Sequence, residues 1–588
     1  MKKINIILLV GVISLFSCKK TGFLDPTNTG LSEEEVFSDS LRTMQFLGRA
    51  YEDIAFAFLP TRWDAGNTNG ATDDTEFINE NVARRPVIIY SGTYNAASFP
   101  FDGMWNMPWQ NIRRASLLMQ KLPETPLAPA TKSRVTGEAR FLRAYYYAYL
   151  LVNFGGVPLI GDRVFGKDDV VNLPRNSFQE CVDYIVSELD AAAALVPPTT
   201  GPGAYDDTNW GRVTRGACMG LKSRVLLYAA SPLFNAGISS YETLKTDEAG
   251  KLVSGYTDKS ASSVQQRWQR AADAALAVMN SGYYELHTNN TTAPGYGFYD
   301  VFLKRVNREY IFFQNRPLNR DFEGMFNPPS RGGSRVYWPS QNLVDCFPMK
   351  NGKGILEAGS TYDPQNPYAN RDPRFGYTII YNGSFYYLAS AGVKREVFTY
   401  QGASQDGFPS TKSGYYLRKM CDDNVANNSN FQTQRGWPLL RYAEIILNYA
   451  EAINEASSGP AAPEAAYAAL RQLRNRAGID VGDGNYGLKS GMTQVEMRAV
   501  VRNERRIELS FEGDHRWNDI CRWGIAEAVN NGYNQIMRIV RVTAAPLVYQ
   551  YNREPSTRLH RFRPEMYLFP IKQSEINKMP AMVQNPGW

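Results

Sequence analysis

Histidine, cysteine and paired carboxylates carry much of enzyme chemistry, and in this chain of 588 residues they are sparse or unhelpfully placed. The three histidines, His287, His515 and His560, form no H-E-x-x-H or other metal-ligand spacing. The six cysteines include no C-x-x-C pair, so a zinc ribbon, a zinc finger and a thioredoxin-type dithiol are excluded. No G-x-S-x-G elbow and no phosphate-binding G-x-x-x-x-G-K-[ST] loop occurs. No cofactor, metal or catalytic residue is therefore expected. A glycosidase needs only two carboxylates flanking a bond. Glu512 and Asp514, beside His515, are the best such pair, and they keep a surface glycoside hydrolase as an alternative.

The chain is rich instead in rings, with 35 tyrosines and 10 tryptophans. Tyr and Trp combine a flat apolar face with a polar tip, which suits stacking on sugar rings while hydrogen-bonding hydroxyls. Most must simply pack between helices, as Tyr145, Tyr146 and Tyr147 should. Ligand-reading residues concentrate on loops held by a rigid scaffold. The candidates are therefore the loop aromatics Trp63, Tyr90, Tyr94, Trp105, Trp109, Tyr296, Tyr299, Tyr337, Trp338, Tyr386 and Tyr387.

The scaffold that positions them reads as helical. Residues 131–152 place Val135, Ala139, Leu142, Tyr146 and Tyr149 on one stripe. Residues 212–231 repeat the pattern and stop at Pro232, and 264–281 carry Ala271, Ala275 and Met279 before Gly282. Residues 440–456 put Tyr442, Ile446, Tyr449 and Ile453 on one face. Thr493-x-x-Glu496 is a capping box opening a helix through about Phe511. Between these, 60–110, 288–345 and 360–436 are dense in Gly, Asn, Pro and Tyr and read as long functional loops, their aromatics arguing against disorder. The helix pairs are reminiscent of tetratricopeptide hairpins without a strict 34-residue repeat, so any solenoid is degenerate. A pure helical-repeat protein-protein adaptor is a further alternative.

Lys+Arg 64 against Asp+Glu 58 gives a formal charge of +6. Spread over this length, it is no nucleic-acid footprint, which needs basic residues on one face. Met1-Lys2-Lys3 followed by the apolar run Ile4 to Ile13 is too short to span a bilayer of roughly 30 Å and reads as a signal peptide, residues 1–17. Its Leu15-Phe16-Ser17-Cys18 ending resembles a bacterial lipoprotein signal, in which Cys18 would be lipidated and tether the body to a membrane. That leaves five cysteines, an odd number, and Cys181 and Cys218 read as buried packing residues.

Several blocks follow in order along the chain: Phe23-Leu-Asp25; Arg140-Phe-Leu-Arg-Ala-Tyr-Tyr-Tyr running to Asn153-Phe-Gly-Gly-Val-Pro-Leu159; Gly211-Arg-Val-Thr-Arg-Gly-Ala217; Leu440 to Ala452; Glu504 to Asp519; and Leu568 to Ile576 with Gln584-Asn-Pro-Gly-Trp588. Together they resemble the SusD/RagB family of outer-membrane lipoproteins found beside TonB-dependent transporters. The resemblance implies a mainly α superhelix of tetratricopeptide-like pairs, with an N-terminal region 18–235 and a loop-rich C-terminal region 236–588. It further implies a lipid-anchored, cell-surface, outer-membrane protein that captures an oligosaccharide or peptide and delivers it to a SusC-like TonB-dependent transporter. By position, the family's ligand site falls on the loop after Asp73-Asp74 and on a mid-chain loop. The resemblance thus implies Asp74, Arg85, Tyr90, Tyr94, Asn95, Tyr296, Tyr337 and Trp338 as ligand-binding residues. Read from residue types alone, Arg140, Arg143, Arg505, Arg506 and Arg516 with Glu508, Glu512, Asp514 and Asp519 form a structural ion-pair network, with forks reaching carboxylates on adjacent helical turns.

Overall fold

The computed structural model describes residues 31–588 apart from 64, 65, 167, 202, 203 and 335, so the leader 1–17 and Cys18 lie outside the described residues. Helix makes up 44% and strand 12%, the mainly α class that the apolar stripes imply. Long helices stack in chain order. Asp102–Lys121 packs on Pro129–Phe154, which packs on Phe178–Leu195, then Arg215–Ala230, Ala261–Asn280 and Tyr442–Ala456. The last of these packs on Glu464–Arg476 and Gln494–Glu508.

The local causes are visible in each member. Pro129–Phe154 buries Val135, Ala139, Leu142 and Tyr146 completely or nearly so, with Tyr149 half-buried. It ends at Gly155 (φ 77°), where a Cβ would meet the Val253 carbonyl oxygen at 2.3 Å. Ala261–Asn280 buries Ala271, Ala272 and Ala275, small residues that let it lie close against two neighbouring helices. The capping box is present: Thr493 Oγ1 accepts from Glu496 N (3.2 Å) and Glu496 Oε2 accepts from Thr493 N (2.8 Å). Cys181 and Cys218 are buried, and burial pushes the Cys181 thiol up to about 11. They are packing residues.

Residues 281–441 leave the stack and return to it. The strands Tyr310–Asn315 and Gly436–Arg441 pair antiparallel (Phe312 opposite Leu440) and close this excursion at its base. Within it, Ser384–Leu388 and Val393–Val397 form a hairpin. A second hairpin, Gly532–Ala544 with Leu547–His560, follows the stack.

Three expectations are corrected. The stretch 60–110 is only partly loop: Arg85–Ser91 is helical, and Asp102–Lys121 carries Trp105 and Trp109 despite Pro108 inside it, the residue that hides this helix from a reading of the sequence. Leu440 and Arg441 belong to a strand, not to the helix that begins at Tyr442. The capped helix stops at Glu508, because Phe511 lies at φ 64°. The C-terminal hairpin went unread, since its strands carry no clean alternation of burial. Among the described residues no helix is long and apolar enough to cross a membrane.

Candidate functional site

The arginine-carboxylate block is structural; Arg505 meets Asp519 within it (2.9 Å), but most of its partners come from far along the chain. Arg143 holds Glu188 (3.0 and 2.6 Å) and Asp162 (2.6 Å), and Arg140 holds Glu188 (2.6 Å). Arg441 reaches Glu309 (2.7 Å), Glu508 (2.8 Å) and Glu512 (2.7 Å), and Glu508 also meets Arg374 and Arg476. Burial opposes the Glu508 carboxylate, but Arg476, Arg441 and Arg374 outweigh it and hold the group far below the ordinary range. Glu512 is engaged by Arg441 and Lys419, Asp514 by both terminal nitrogens of Arg62 (2.9 Å each). His515 is pushed well below its usual value by burial, with Arg224 and Arg505 nearby. The best carboxylate pair for a hydrolase is thus locked in ion pairs inside the protein.

The residues assigned by position to a ligand site divide into two sets. The early and mid-chain blocks do meet: Thr75–Phe77 pairs antiparallel with Tyr337–Pro339, setting Glu76 opposite Trp338 and Phe77 opposite Tyr337. They meet inside the molecule, however. Asp74 is buried against Arg506 (2.6 Å), while Asp73 takes Arg506 (2.8 Å) and Arg516 (2.8 and 2.7 Å). Burial works against Asp73, but the two arginines outweigh it and hold it at about 2, whereas burial and the charge of Asp73 lift Asp74. Tyr337 stacks on Phe511 at 5.8 Å, Trp338 is 2% exposed, Tyr90 stacks on His560 at 4.8 Å, and Tyr94 stacks on Trp588 at 5.2 Å and is 1% exposed. These five residues present no usable face to a ligand: the blocks seat strands and helices on one another. Of the others, Arg85 is half-buried and donates from Nε to the Pro100 carbonyl (2.8 Å), and Asn95 is exposed and accepts from Ser98 N (2.9 Å). Tyr296 lies half-buried on a different surface.

That surface carries the candidate site. Tyr296 meets Tyr299 at 5.6 Å, Tyr299 stacks on Tyr377 at 5.4 Å, and the Arg418 guanidinium sits 5.2 Å from both of the latter rings. The Tyr299 hydroxyl donates to Asp423 (3.0 Å), whose carboxylate also takes Arg418 and Lys394 (2.8 Å). Lys394 opens onto a depression of about 500 Å³ between the 384–397 hairpin and the 422–433 loop. Tyr387 and Phe431 pack edge to face there at 5.5 Å, and Phe431 is 55% exposed. Phe385, two residues before Tyr387 on the same face of the strand, is 60% exposed. Asn424 and Gln432 supply exposed amides.

Buried hydrogen bonds fix both walls. The Tyr386 hydroxyl donates to the Asp422 carbonyl (3.0 Å), Tyr387 N donates to the Asp423 carbonyl (3.1 Å), and Asp422 N donates to buried Glu323 (2.6 Å), which is held by Arg435 (2.9 Å). Alternation along the hairpin therefore sends Tyr386 inward and Phe385 and Tyr387 outward. The two acids bordering the depression are both engaged, Asp422 accepting from Asn424 N and Nδ2 (2.9 Å each) and from Thr433 (2.7 Å). The arrangement can stack flat apolar faces and exchange hydrogen bonds; it holds no free carboxylate pair for acid-base work. Phe385, Tyr377 and Phe431 escaped the sequence reading, although Phe385-Tyr-Tyr before a Gly-containing turn is a legible hairpin signal.

Among the described residues no cluster of three or more His, Cys, Asp or Glu could hold a metal. The run Gly482-Asp-Gly484-Asn-Tyr-Gly487 has dinucleotide-binding spacing, but it lies in turns after the Glu464–Arg476 helix and not between a strand and a helix.

The chain's likeness to known proteins matches this architecture. A model of the SusD family matches residues 288–588, and a model described as starch-binding associating with outer membrane matches 62–227. A SusD-like protein of Formosa agariphila is 35% identical over 67% of this chain and 66% of its own length. A second from that organism is 21% identical over 90% of this chain and 93% of its own. Among solved structures, a SusD-like protein from Bacteroides fragilis shares the fold with a TM-score of 0.74 at 23% identity, covering 95% of this chain and 99% of that one. A SusD-like carbohydrate binding protein from the same species does so with a TM-score of 0.67 at 22% identity, covering 93% of this chain and 99% of that one. With one family model spanning more than half of its length, the chain belongs to the SusD family.

Proposed function

We propose that this protein is a non-catalytic glycan-capture subunit of the outer membrane, tethered at the cell surface through a lipidated Cys18, which binds oligosaccharides and passes them unmodified to a SusC-like TonB-dependent transporter. The observation that carries the reading is the depression bounded by Tyr387, Phe431 and Lys394: exposed rings beside amides and a lysine, with every neighbouring carboxylate engaged. Rings of that kind stack on sugars, and spreading the contact over several of them suits a subunit that must release its cargo. The starch-binding family model and the similarity in fold to a carbohydrate binding protein support the choice of a glycan over a peptide.

The test incubates purified protein with an extracted polysaccharide pool and follows both retention and chain length. Phe431→Ala and Tyr387→Ala should each weaken retention severalfold while leaving the melting temperature within a few degrees, because neither ring is in the deep core. Shortened oligomers would place the protein among the hydrolases, and unchanged retention in both variants would move the site elsewhere. For the tether, Cys18→Ala should shift the protein out of the membrane fraction; a variant that stays there refutes lipidation at Cys18.

A further inference from the structure

A second concavity, with chemistry opposite to that of the first, lies on the N-terminal side of the stack. Along the Asp102–Lys121 helix, Trp105, Trp109 and Arg113 recur every fourth residue and form one stripe. The stripe makes one wall of a cavity of about 350 Å³, within the range of small-molecule sites. Ile160, Phe165, Val171 and Leu173 from the loop after the Pro129–Phe154 helix make the other wall, and Met579 and Met582 near the C-terminus border it. The lining is overwhelmingly apolar, so it offers little to a sugar. Two thioethers give it walls that adapt to ligand shape.

Its charged groups are mainly cationic, beside the amides of Asn106 and Gln110. The Arg163 guanidinium stacks on Phe165 at 4.2 Å, and Arg113 Nε donates to the Phe165 carbonyl at 3.4 Å, so both cations gather at one side of the cavity. Neither pairs with a carboxylate among the described residues. The one acid in the lining, Glu575, is already engaged by Lys578 (2.7 Å). Both arginines are exposed, and two guanidiniums free of carboxylates at one side of an apolar hollow favour a ligand with an anionic oxygen head and an apolar body.

We propose that this cavity is a binding site for a small amphiphile, an acyl or similar apolar body ending in a carboxylate, separate from the glycan depression. Enclosure by a helix, a loop and the C-terminal segment favours a single small molecule over a protein surface. The proposal does not rest on the glycan reading, and retention of the polysaccharide pool, measured in parallel, keeps the two distinguishable.

Calorimetric titration of the full mature protein with monomeric dodecanoate tests it, with dodecanol as the uncharged counterpart. Dodecanoate should bind, and the Arg113→Gln/Arg163→Gln double variant should weaken it about tenfold while changing dodecanol less than about twofold. Leu173→Trp, which fills the hollow from a loop, should abolish both. None of these variants should alter glycan retention. No heat with dodecanoate, equal losses for acid and alcohol, undiminished binding in Leu173→Trp, or association only with anionic vesicles and not with the monomer would each overturn the proposal.

Discussion

Arg516 grips Asp73 with Nε and a terminal nitrogen at 2.8 and 2.7 Å, and both side chains are more than nine-tenths buried. A surface pair of that kind contributes little, because water competes for both charges. A buried one matters through what happens when half of it is removed: the remaining charge has been stripped of water and has nowhere to turn. Arg516→Ala leaves Asp73 with Arg506 alone, already shared with Asp74. The substitution should cost about 3–5 kcal/mol, read as a lowered urea midpoint that is the same with and without glycan. Asp73→Asn in the same background should recover part of the loss, since it removes the uncompensated charge. Full stability with selective loss of glycan retention would instead make Arg516 a ligand residue. The same reasoning explains why Asp74 misled a reading by position: an Asp-Asp pair before a loop looks like a ligand clamp until the arginines from residues 506 and 516 are brought to it, and no local pattern announces a contact across more than four hundred residues.

At the scale of elements, apolar spacing made several of the long helices legible, while Ser40–Glu52 and Glu464–Arg476, each of three turns or more, went unread. Pro129–Phe154, Arg215–Ala230, Ala261–Asn280 and Tyr442–Ala456 follow the apolar spacing to within a few residues, although the first two are buried nearly all round and not on one stripe. The Asp102–Lys121 helix was hidden by Pro108, whose damage is confined because it falls within the first two turns. The short strand pairs were hidden for a different reason. Thr75–Phe77 and Tyr337–Pro339 are three residues each and buried throughout, so no alternation distinguishes them from loop, and only the tertiary contact makes them strands. That contact also decides the fate of the rings: Tyr337 of this strand pair stacks on Phe511 inside the molecule, whereas Phe385 of the 384–397 hairpin stays exposed. Ring content alone cannot separate the two roles, because stacking on a neighbour and stacking on a sugar ask for the same side chain.

For the molecule as a whole, the buried network makes acid sensitivity a property of the fold. Asp73 and Glu451 are held at about 2 although burial opposes their charge, Asp73 by Arg506 and Arg516 and Glu451 chiefly by Arg522. Glu504, Glu508 and Glu512 are lowered by their own arginines. A carboxyl group depressed in the folded state contributes stability that is complete above its ordinary value near 4 and drains away as pH falls toward the folded value, because the unfolded chain takes up the proton first. Burial raises Asp74, Glu76 and Glu323, and these act in the opposite sense, but only above pH 4; below it they are protonated in both states. His560, lowered to about 4 by burial, and His515, also lowered well below its ordinary value by burial, favour protonation of the unfolded chain from about pH 6.5 downward. Between pH 6.5 and 4 the two sets oppose each other and the slope should be shallow; between pH 4 and 2 the raised carboxylates no longer oppose, the depressed ones titrate, and it should steepen. Urea midpoints followed by tryptophan fluorescence at intervals from pH 7 to 2.5 would show this break, and Asp73→Asn should soften the acid limb without touching the upper one. A midpoint that stayed level through pH 3 would mean that the arginines do not hold these carboxylates as the geometry requires, and the network would lose its claim to be what clamps the stack together.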